Sequence, residues 1–333
     1  MNDPLVTVLM PVYNACDYVA AAINSVIGQE FDDWHLLVIN DGSKDNTGEV
    51  LEQFQDHPKI TIQNNPKNLK LIATLNNGLR QITSPYIARL DADDIMHPHR
   101  LGEQVRFMEA NRNVVLCGTG FCSFSSRIAD GKNTMYPSSQ EEIVFRHLVN
   151  TSFCHPSIIL RNNTVDELLF DVNYPHAEDY ELFERISALC SVTNLKTIGT
   201  SYRIHEASVS VKNKRTQALG KKKVQNRAWS RFNMISTSEK VGQIEALLNQ
   251  DYQKIKLFLL EEILEGMLNK DAIQSIPSLD YTLWCAMIGQ QWFNACWNTK
   301  KINIYKESKL SRYRKMTMAE KLACRAKTIF FNT

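Results

Sequence analysis

The chain has 333 residues, of which 44% are hydrophobic and 22% charged, as is typical of a folded globular protein with a sizeable core. No apolar run approaches the roughly 18 residues of a membrane span. The N-terminus has no basic segment before an apolar stretch, so a signal peptide is not predicted either. The eight cysteines are scattered without a C-x-x-C pair, which disfavours a structural zinc site and favours buried thiols in a reducing cytosol.

Charge is distributed unevenly along the chain. Residues 1–211 contain 26 acidic and 16 basic residues, whereas residues 212–333 contain 10 acidic and 22 basic ones. The strongest excess lies between residues 300 and 327, where ten basic and two acidic residues alternate with apolar ones. This pattern fits a solvated helix face, a nucleic-acid patch or a membrane-contacting surface.

Apolar runs of strand length alternate with amphipathic patterns in the first third of the chain. They predict strands over residues 5–10, 34–39, 59–63, 86–90 and 114–118, and helices over residues 17–28, 45–55, 71–82 and 97–110. A turn is predicted at residues 11–14, and Pro98 is expected in the first turn of the fourth helix. This alternation predicts an α/β fold with a mostly parallel sheet covered on both faces, whose ligands bind at the carboxyl ends of the strands.

The pattern changes near residue 216, beyond which helices are predicted over residues 243–249, 252–268 and 279–297. We therefore expect two regions. The first, residues 1–215, is the α/β domain, and the second, residues 216–333, is basic and mainly helical.

Three carboxylates, Asp91, Asp93 and Asp94, directly follow the strand predicted over residues 86–90. Such closely spaced like charges repel one another. A divalent cation with oxygen ligands would relieve the repulsion. A calcium-binding EF-hand loop does not fit, because Met96 and Gly102 stand where it needs glycine and glutamate. A solvated turn without a function remains the alternative.

Three further stretches carry residue types suited to chemistry. Tyr13 follows the first strand and could stack on a nucleobase. Asp41, after the second strand, could accept a hydrogen bond from a ring N–H of that base. Two ordinary turns are the alternative. One carboxylate of Glu178-Asp179 could act as a general base toward a hydroxyl, although acidic residues also favour a helix start. His205 could complete a cation site with Asp93, although an isolated histidine is more often structural.

Together, the order and spacing of these stretches resemble the family 2 glycosyltransferases of the GT-A fold, particularly the bacterial members that build surface polysaccharides. The resemblance runs from about Val6 to Ser210, nearly two thirds of the chain. It rests on the following motifs: V-x-V-x-M-P-V-Y-N, Q-E-F-D-D-W-x-L-L-V-I-N-D-G-S-x-D-x-T, Y-I-A-R-L-D-A-D-D-I-x-x-P-x-R-L, H-P-S, E-D-Y-E-L and Y-R-I-H-x-x-S-V-S.

The resemblance implies a GT-A fold and a UDP-sugar donor. Pro11, Tyr13 and Asp41 would hold the uridine, with Asn68 in the adjoining loop. Asp91 would approach the ribose or the donor sugar.

The diphosphate side of the site is also implied by the resemblance. Asp93 would bind the divalent cation, Mn²⁺ or Mg²⁺, although the choice between Asp93 and Asp94 as the inner ligand stays open. His205 would reach the metal or the diphosphate. Arg203 and Ser210 would support the leaving group or a closing loop.

The acceptor side follows in the same way. Asp179 would be the catalytic base of an inverting transfer, Glu178 its neighbour, and His155 would lie near the acceptor. A glycan or lipid-linked acceptor then makes anionic inner-leaflet lipid, rather than nucleic acid, the expected partner of the basic C-terminal region. The protein would be cytoplasmic or peripheral on the inner face of the membrane.

The sequence departs from the family pattern at a few positions. Asn40 stands where many relatives have aspartate, Lys70 where glycine is usual, and Glu206-Ala207 where a small pair is commoner. Two rival interpretations remain. A sugar nucleotidyltransferase would usually open with a Gly-rich basic phosphate loop, which the chain lacks after its first strand. A non-catalytic nucleotide- or glycan-binding protein would not need every expected acid.

Overall fold

The computed structural model describes residues 3–162, 169–205, 213–318 and 320–321. The chain divides into two compact units between Val224 and Gln225.

The N-terminal unit is built on one sheet with helices packed against it. Its strands are β1 Val6–Val12, β2 Trp34–Asn40, β3 Ile60–Asn64, β4 Tyr86–Arg89, β5 Ile95–Met96, β6 Val114–Phe124, β7 Lys132–Thr134, β8 Ile159–Arg161 and β9 Ser191–Arg203. Its helices are α1 Val19–Ile27, α2 Thr47–Glu52, α3 Leu71–Leu79, α4 Arg100–Ala110, α5 Gln140–Arg146 and α6 Glu178–Leu189, followed by α7 Lys214–Ser230, which extends past the division.

The nine-stranded sheet is mixed and mostly parallel. Its strand order is β3-β2-β1-β4-β8-β6-β9-β5, with β7 added beside β6. The four strands from β3 to β4 run parallel, and so do β6 and β9, whereas β8 is antiparallel to both of its neighbours. The carboxyl ends of β1, β2 and β4 therefore lie at one edge of the sheet, where α/β proteins bind their ligands.

Apolar side chains cover both faces of this sheet. One core cluster includes Val8, Val38 and Ile23, and the other includes Leu9, Ile39 and Leu75, so that alternate residues of β1 and β2 point to opposite sides. The predicted α/β fold with helices on both faces, followed by helices in the C-terminal part, is confirmed.

Two local predictions are wrong. Pro11 and Val12 belong to β1 rather than to a turn. Pairing with β4 ends at Leu9, so Pro11 lies beyond the part of β1 that needs hydrogen bonds on both sides, and its missing N–H is tolerated. Pro98 is not in the first turn of α4, because the helix begins at Arg100 after the N-cap residue His99.

The C-terminal unit is helical. After α7 come α8 Ser238–Leu248, α9 Leu257–Gly266, α10 Lys270–Gln274, α11 Tyr281–Asn298 and α12 Ile302–Glu307. Its core contains Trp284, which stacks on Phe232 with ring centroids 4.9 Å apart and donates its indole N–H to the Met267 carbonyl at 2.9 Å. Within the described ranges, no helix is both long and apolar enough to cross a bilayer.

Candidate active site

The three clustered aspartates lie in the turn between β4 and β5, and each has a different environment. Asp94 is fully buried; its Oδ1 accepts the Arg203 backbone N–H at 2.7 Å, and its Oδ2 has no hydrogen-bond partner. Asp91 is paired with Arg89 at 2.5 Å. The side chain of Asp93 is 31% exposed, so it is accessible to a ligand in a way that Asp94 is not.

Asp93 meets the end of β9 through two contacts. Its Oδ2 lies 2.9 Å from Nε2 of His205, and its backbone carbonyl accepts the Nε–H of Arg203 at 2.9 Å. Arg203, the last residue of β9, and His205, two residues beyond it, also contact Tyr18, just before α1: the His205 ring centroid is 5.1 Å away, and the Arg203 guanidinium lies 4.8 Å from the tyrosine ring. Residues more than one hundred positions apart are thus held in one cluster.

The electrostatics of this cluster favour a bound cation. Burial raises the pKa of Asp93, and the charge of Asp91 raises it further. The pKa of Asp94 is raised well above its ordinary value, first by burial and then by the charges of Asp91 and Asp93. A positive ion would offset this repulsion.

The available donors fit a divalent cation that also needs substrate oxygens. A carboxylate and an imidazole, Asp93 and His205, are adjacent and partly exposed. No group of three or more His, Cys, Asp or Glu side chains that could hold a metal is found in the described part of the chain. The other coordination positions would therefore go to substrate phosphates and water, as is common for Mg²⁺.

A second part of the site lies after β1 and β2. Tyr13 is 46% exposed, whereas Asp41 is only 4% exposed. The carboxylate of Asp41 is held by the loop before α3: Oδ1 accepts the Asn65 side-chain amide at 2.9 Å and the Leu69 N–H at 2.8 Å, and Oδ2 accepts the Lys70 N–H at 2.9 Å. A carboxylate can accept about four hydrogen bonds, so one position on Oδ2 remains.

The same loop contains Asn68 and Lys70. Asn68 Oδ1 also accepts the Lys70 N–H, at 3.0 Å, so Asn68 shapes this loop. Lys70 has φ 76° and ψ 157°, a region that glycine adopts readily and other residues do not. The lysine therefore strains the backbone at this position. Pro11 lies buried in β1 at the same edge of the sheet.

A pair of acidic residues begins α6. Glu178 is 6% exposed, and its Oε2 has no hydrogen-bond partner. Burial, together with the neighbouring charge of Asp179, raises the pKa of Glu178 to about 8. Burial also raises the pKa of Asp179, although its Oδ1 accepts the Tyr180 N–H at 2.7 Å. Near neutral pH Glu178 therefore holds a proton.

His155 lies in the short 3-10 turn His155–Ser157, between the rings of Phe170 at 5.4 Å and Phe183 at 5.9 Å. Burial, and secondarily the charge of Arg89, lowers the pKa of His155 to about 3, and its Nε2 has no hydrogen-bond partner. The imidazole is therefore neutral. Ser210 lies outside the described residues.

The structure also reveals Arg100, which sequence reasoning did not select although it stands in the P-x-R-L motif. Its buried guanidinium donates to Gln104 Oε1, Thr200 Oγ1 and the carbonyls of three residues at 2.6 to 3.2 Å; these residues are Arg89, Pro156 and Ile158. This single side chain ties β4, β9 and the turn of His155 together. Arg100 thus holds the segments that carry the candidate site.

Comparison with known proteins agrees with this arrangement. The family model "Glycosyl transferase family 2" matches residues 7–170. An uncharacterized glycosyltransferase of Haemophilus influenzae is 33% identical over 215 residues, which are 61% of this chain and 67% of the relative. The Escherichia coli protein WfgD, named UDP-Glc:alpha-D-GlcNAc-diphosphoundecaprenol beta-1,3-glucosyltransferase, is 29% identical over 212 residues, which are 63% of this chain and 81% of WfgD.

The fold is similar to that of a solved structure, Staphylococcus aureus TarS residues 1–349 in complex with UDP-GlcNAc. The TM-score is 0.56 at 14% identity, covering 94% of this chain and 93% of that one. At this identity the likeness concerns the fold, which is GT-A. From the family match and the Haemophilus relative, we conclude that the chain belongs to glycosyl transferase family 2 and is a glycosyltransferase.

Proposed function

We propose that this glycosyltransferase moves a sugar from a UDP-sugar to a hydroxyl of a glycan or lipid-linked acceptor, by a single inverting displacement that uses a divalent cation. The observation that carries this proposal is the pairing of Asp93 with His205, at 2.9 Å, together with the acidic pair Glu178-Asp179, whose pKa values burial raises. The charge of Asp91 acts on Glu178 and Asp179 alike, as expected if all these groups line one site.

The acidic pair supports the base role. An acceptor hydroxyl must lose its proton as it attacks the anomeric carbon, and a carboxylate with a raised pKa is suited to take it. Asp179 is that carboxylate in our proposal. Glu178, protonated near neutral pH, can donate a hydrogen bond from its unpartnered Oε2 instead of competing for the proton.

On the opposite side, Asp93 and His205 would hold Mn²⁺ or Mg²⁺, with Asp93 as the inner carboxylate. When bound, the cation would neutralise the charge that develops on the leaving diphosphate. Asp94 is assigned a positioning role instead, because its Oδ1 already fixes the backbone of Arg203 at 2.7 Å. Arg203 in turn fixes the Asp93 backbone, which keeps the cation ligands in place before substrate arrives.

For the nucleotide, we propose that the exposed ring of Tyr13 stacks on the base. The remaining acceptor position on Asp41 Oδ2 would take the ring N–H of uracil, since the other positions are filled by the loop. Pro11 would form the wall behind the base, and Asn68 would act by shaping the loop. Asp91 would lie toward the ribose or the donor sugar.

For the acceptor, we propose a lipid-linked or growing surface glycan, by analogy with the diphosphoundecaprenol compound in the name of WfgD. His155 would face this acceptor as a neutral imidazole. Residues 1–215 would form the catalytic domain, and the basic residues 216–333 would contact the anionic inner leaflet, where such an acceptor is anchored.

The test is a screen of UDP- and GDP-sugars for binding and for Mn²⁺-dependent hydrolysis, followed by acceptor trials. We expect at least one UDP-sugar to be bound and slowly hydrolysed, with chelation by EDTA abolishing hydrolysis. Preferential binding of a GDP-sugar would refute the assignment of the donor. Binding without any turnover, with or without acceptors, would favour the non-catalytic alternative.

A further inference from the structure

The C-terminal unit contains a cavity of about 420 Å³ whose wall is rich in basic side chains. Four of its lining residues are Lys306, Arg314, Lys315 and Lys321. Tyr305 also lines the cavity; it is buried and donates its hydroxyl hydrogen to the Arg314 carbonyl. The cavity is much larger than the roughly 10–15 Å³ that a single water requires.

Arg314 is held in place by its neighbours. Its two terminal nitrogens donate to the carboxylate of Glu320 at 2.9 and 2.6 Å, and its Nε donates to Gln290 Oε1 at 2.8 Å. The guanidinium also lies 3.6 Å from the ring centroid of Phe293. The pairing with Arg314 lowers the pKa of Glu320 to about 2, so this carboxylate stays charged and forms an ion pair with Arg314.

The three lysines that line the cavity differ from Arg314 in lacking an ion pair. Lys306, Lys315 and Lys321 are exposed and have no ion pair with any residue that the structure describes. Elsewhere in the same unit lysines do have such partners: Lys254 lies 2.6 Å from Asp251 and Lys256 lies 2.7 Å from Glu239. Like charges around one cavity repel one another, and an anion between them would turn that repulsion into attraction.

The surroundings of the cavity indicate where the anion comes from. Residues 300–321 contain eight basic and two acidic residues. Met318, between Lys315 and Lys321 in the chain, is 72% exposed, and Ile304 on α12 is 37% exposed. Exposed apolar side chains interleaved with lysines are the signature of a surface that enters the headgroup region of a bilayer.

We propose that this lysine-lined cavity binds the phosphate of an anionic lipid headgroup and so docks the C-terminal unit on the bilayer. Lysine binds phosphate as a compact charge, and three such charges can surround one phosphate without a fixed geometry. Arg314, fixed by Glu320, would keep the walls open. The inference rests on the membrane contact proposed above and gives it a defined site.

The experiment is co-sedimentation of the full chain with phosphatidylglycerol–phosphatidylcholine vesicles, with pure phosphatidylcholine vesicles as reference. The test variant replaces Lys306, Lys315 and Lys321 by glutamine. Each basic residue near an anionic surface contributes about 1 kcal/mol, and about 1.4 kcal/mol is tenfold. We therefore expect partitioning onto the anionic vesicles to fall about a hundredfold.

The matched control variant replaces three other lysines of the same unit by glutamine: Lys254, Lys256 and Lys270. It removes the same charge but leaves the cavity intact, so its loss should stay several-fold smaller. Equal losses in the two variants would overturn the proposal, because binding would then follow net charge alone. So would wild-type binding that is equal on anionic and neutral vesicles.

Two further measurements complete the test. Glycerol phosphate and inorganic phosphate should bind the protein only weakly; tight binding of either one, with no vesicle binding, would assign the site to a soluble phosphate and refute the lipid. UDP binding should be unchanged in both lysine variants. Failure of vesicle binding with UDP binding retained would therefore reject this inference and leave the proposed transfer reaction untouched.

Discussion

Replacing Glu178 by glutamine should change how the stability of the protein depends on pH. Burial raises the pKa of this carboxyl from its ordinary value of 4.5 to about 8 in the folded state. Below pH 4.5 the group is protonated in both the folded and the unfolded chain and does not lower the free energy of unfolding. As the pH rises, the unfolded chain releases the proton first, so the wild-type protein loses stability until the folded carboxyl also ionises near pH 8.

The size of the effect follows from the shift. At pH 7 the unfolded group is about 2.5 pH units above its ordinary pKa, and each unit corresponds to about 1.4 kcal/mol, which gives an upper limit of about 3 kcal/mol. The variant Glu178→Gln lacks this penalty. Its stability relative to wild type should therefore increase by up to about 3 kcal/mol between pH 4.5 and pH 7.

The assay is urea-induced unfolding of both proteins at several pH values, because the difference between them cancels the titratable groups that do not interact with Glu178. Glu52→Gln serves as the control, since Glu52 is exposed at the end of α2. The reasoning is refuted if the stability difference for Glu178→Gln is independent of pH, or if it changes no more than that for Glu52→Gln.

Three other substitutions test separate parts of the structure. Lys70→Gly should raise the free energy of unfolding by about 1 kcal/mol, because glycine adopts the backbone conformation of this position without strain. Lys67→Gly in the same loop should lower it. Thermal unfolding that ranks the two variants in the opposite order would contradict the strain at Lys70. Arg100→Met should lower the free energy of unfolding in urea by about 2–4 kcal/mol, since buried carbonyls lose their donor; a variant as stable as wild type would be incompatible with its bracing role. His205→Gln should weaken Mn²⁺ binding by about tenfold or more, as loss of a metal ligand or its partner does, while His99→Gln, an exposed histidine, should leave it unchanged in titration calorimetry; equal affinities would remove His205 from the metal site.

The strands and helices in the first third of the chain, and the mostly parallel sheet, could be predicted from sequence because buried strands are short apolar runs. Strands β5, β7, β8 and β9 were not predicted; β5, β7 and β8 are only two or three residues long and carry too little pattern to be recognised. Pro11 was misassigned for a related reason: proline signals a turn locally, and only the limited pairing between β1 and β4 explains why a strand tolerates it.

The site shows a similar division. Clustered acids such as Asp93 and Asp94 are visible in sequence, but which of them is exposed depends on the Arg203 backbone, more than one hundred residues away. Arg100 was overlooked because a single arginine in a helix usually indicates a solvated face. Its function as a brace emerges only when the carbonyls of β4 and the His155 turn surround it.

The most direct test of the proposed reaction is the pair of measurements on Asp179→Asn: sugar transfer and binding of UDP with Mn²⁺. Asparagine retains the shape of the side chain but cannot accept a proton, so transfer should fall by about 10² to 10⁴-fold. The affinity for UDP and Mn²⁺ should remain within about threefold of wild type, because Asp179 acts on the acceptor hydroxyl in our proposal and is not assigned to the nucleotide or the cation. A tenfold loss would require the substitution to remove about 1.4 kcal/mol of binding free energy. Transfer that persists at the wild-type rate would contradict the assignment of Asp179 as the base.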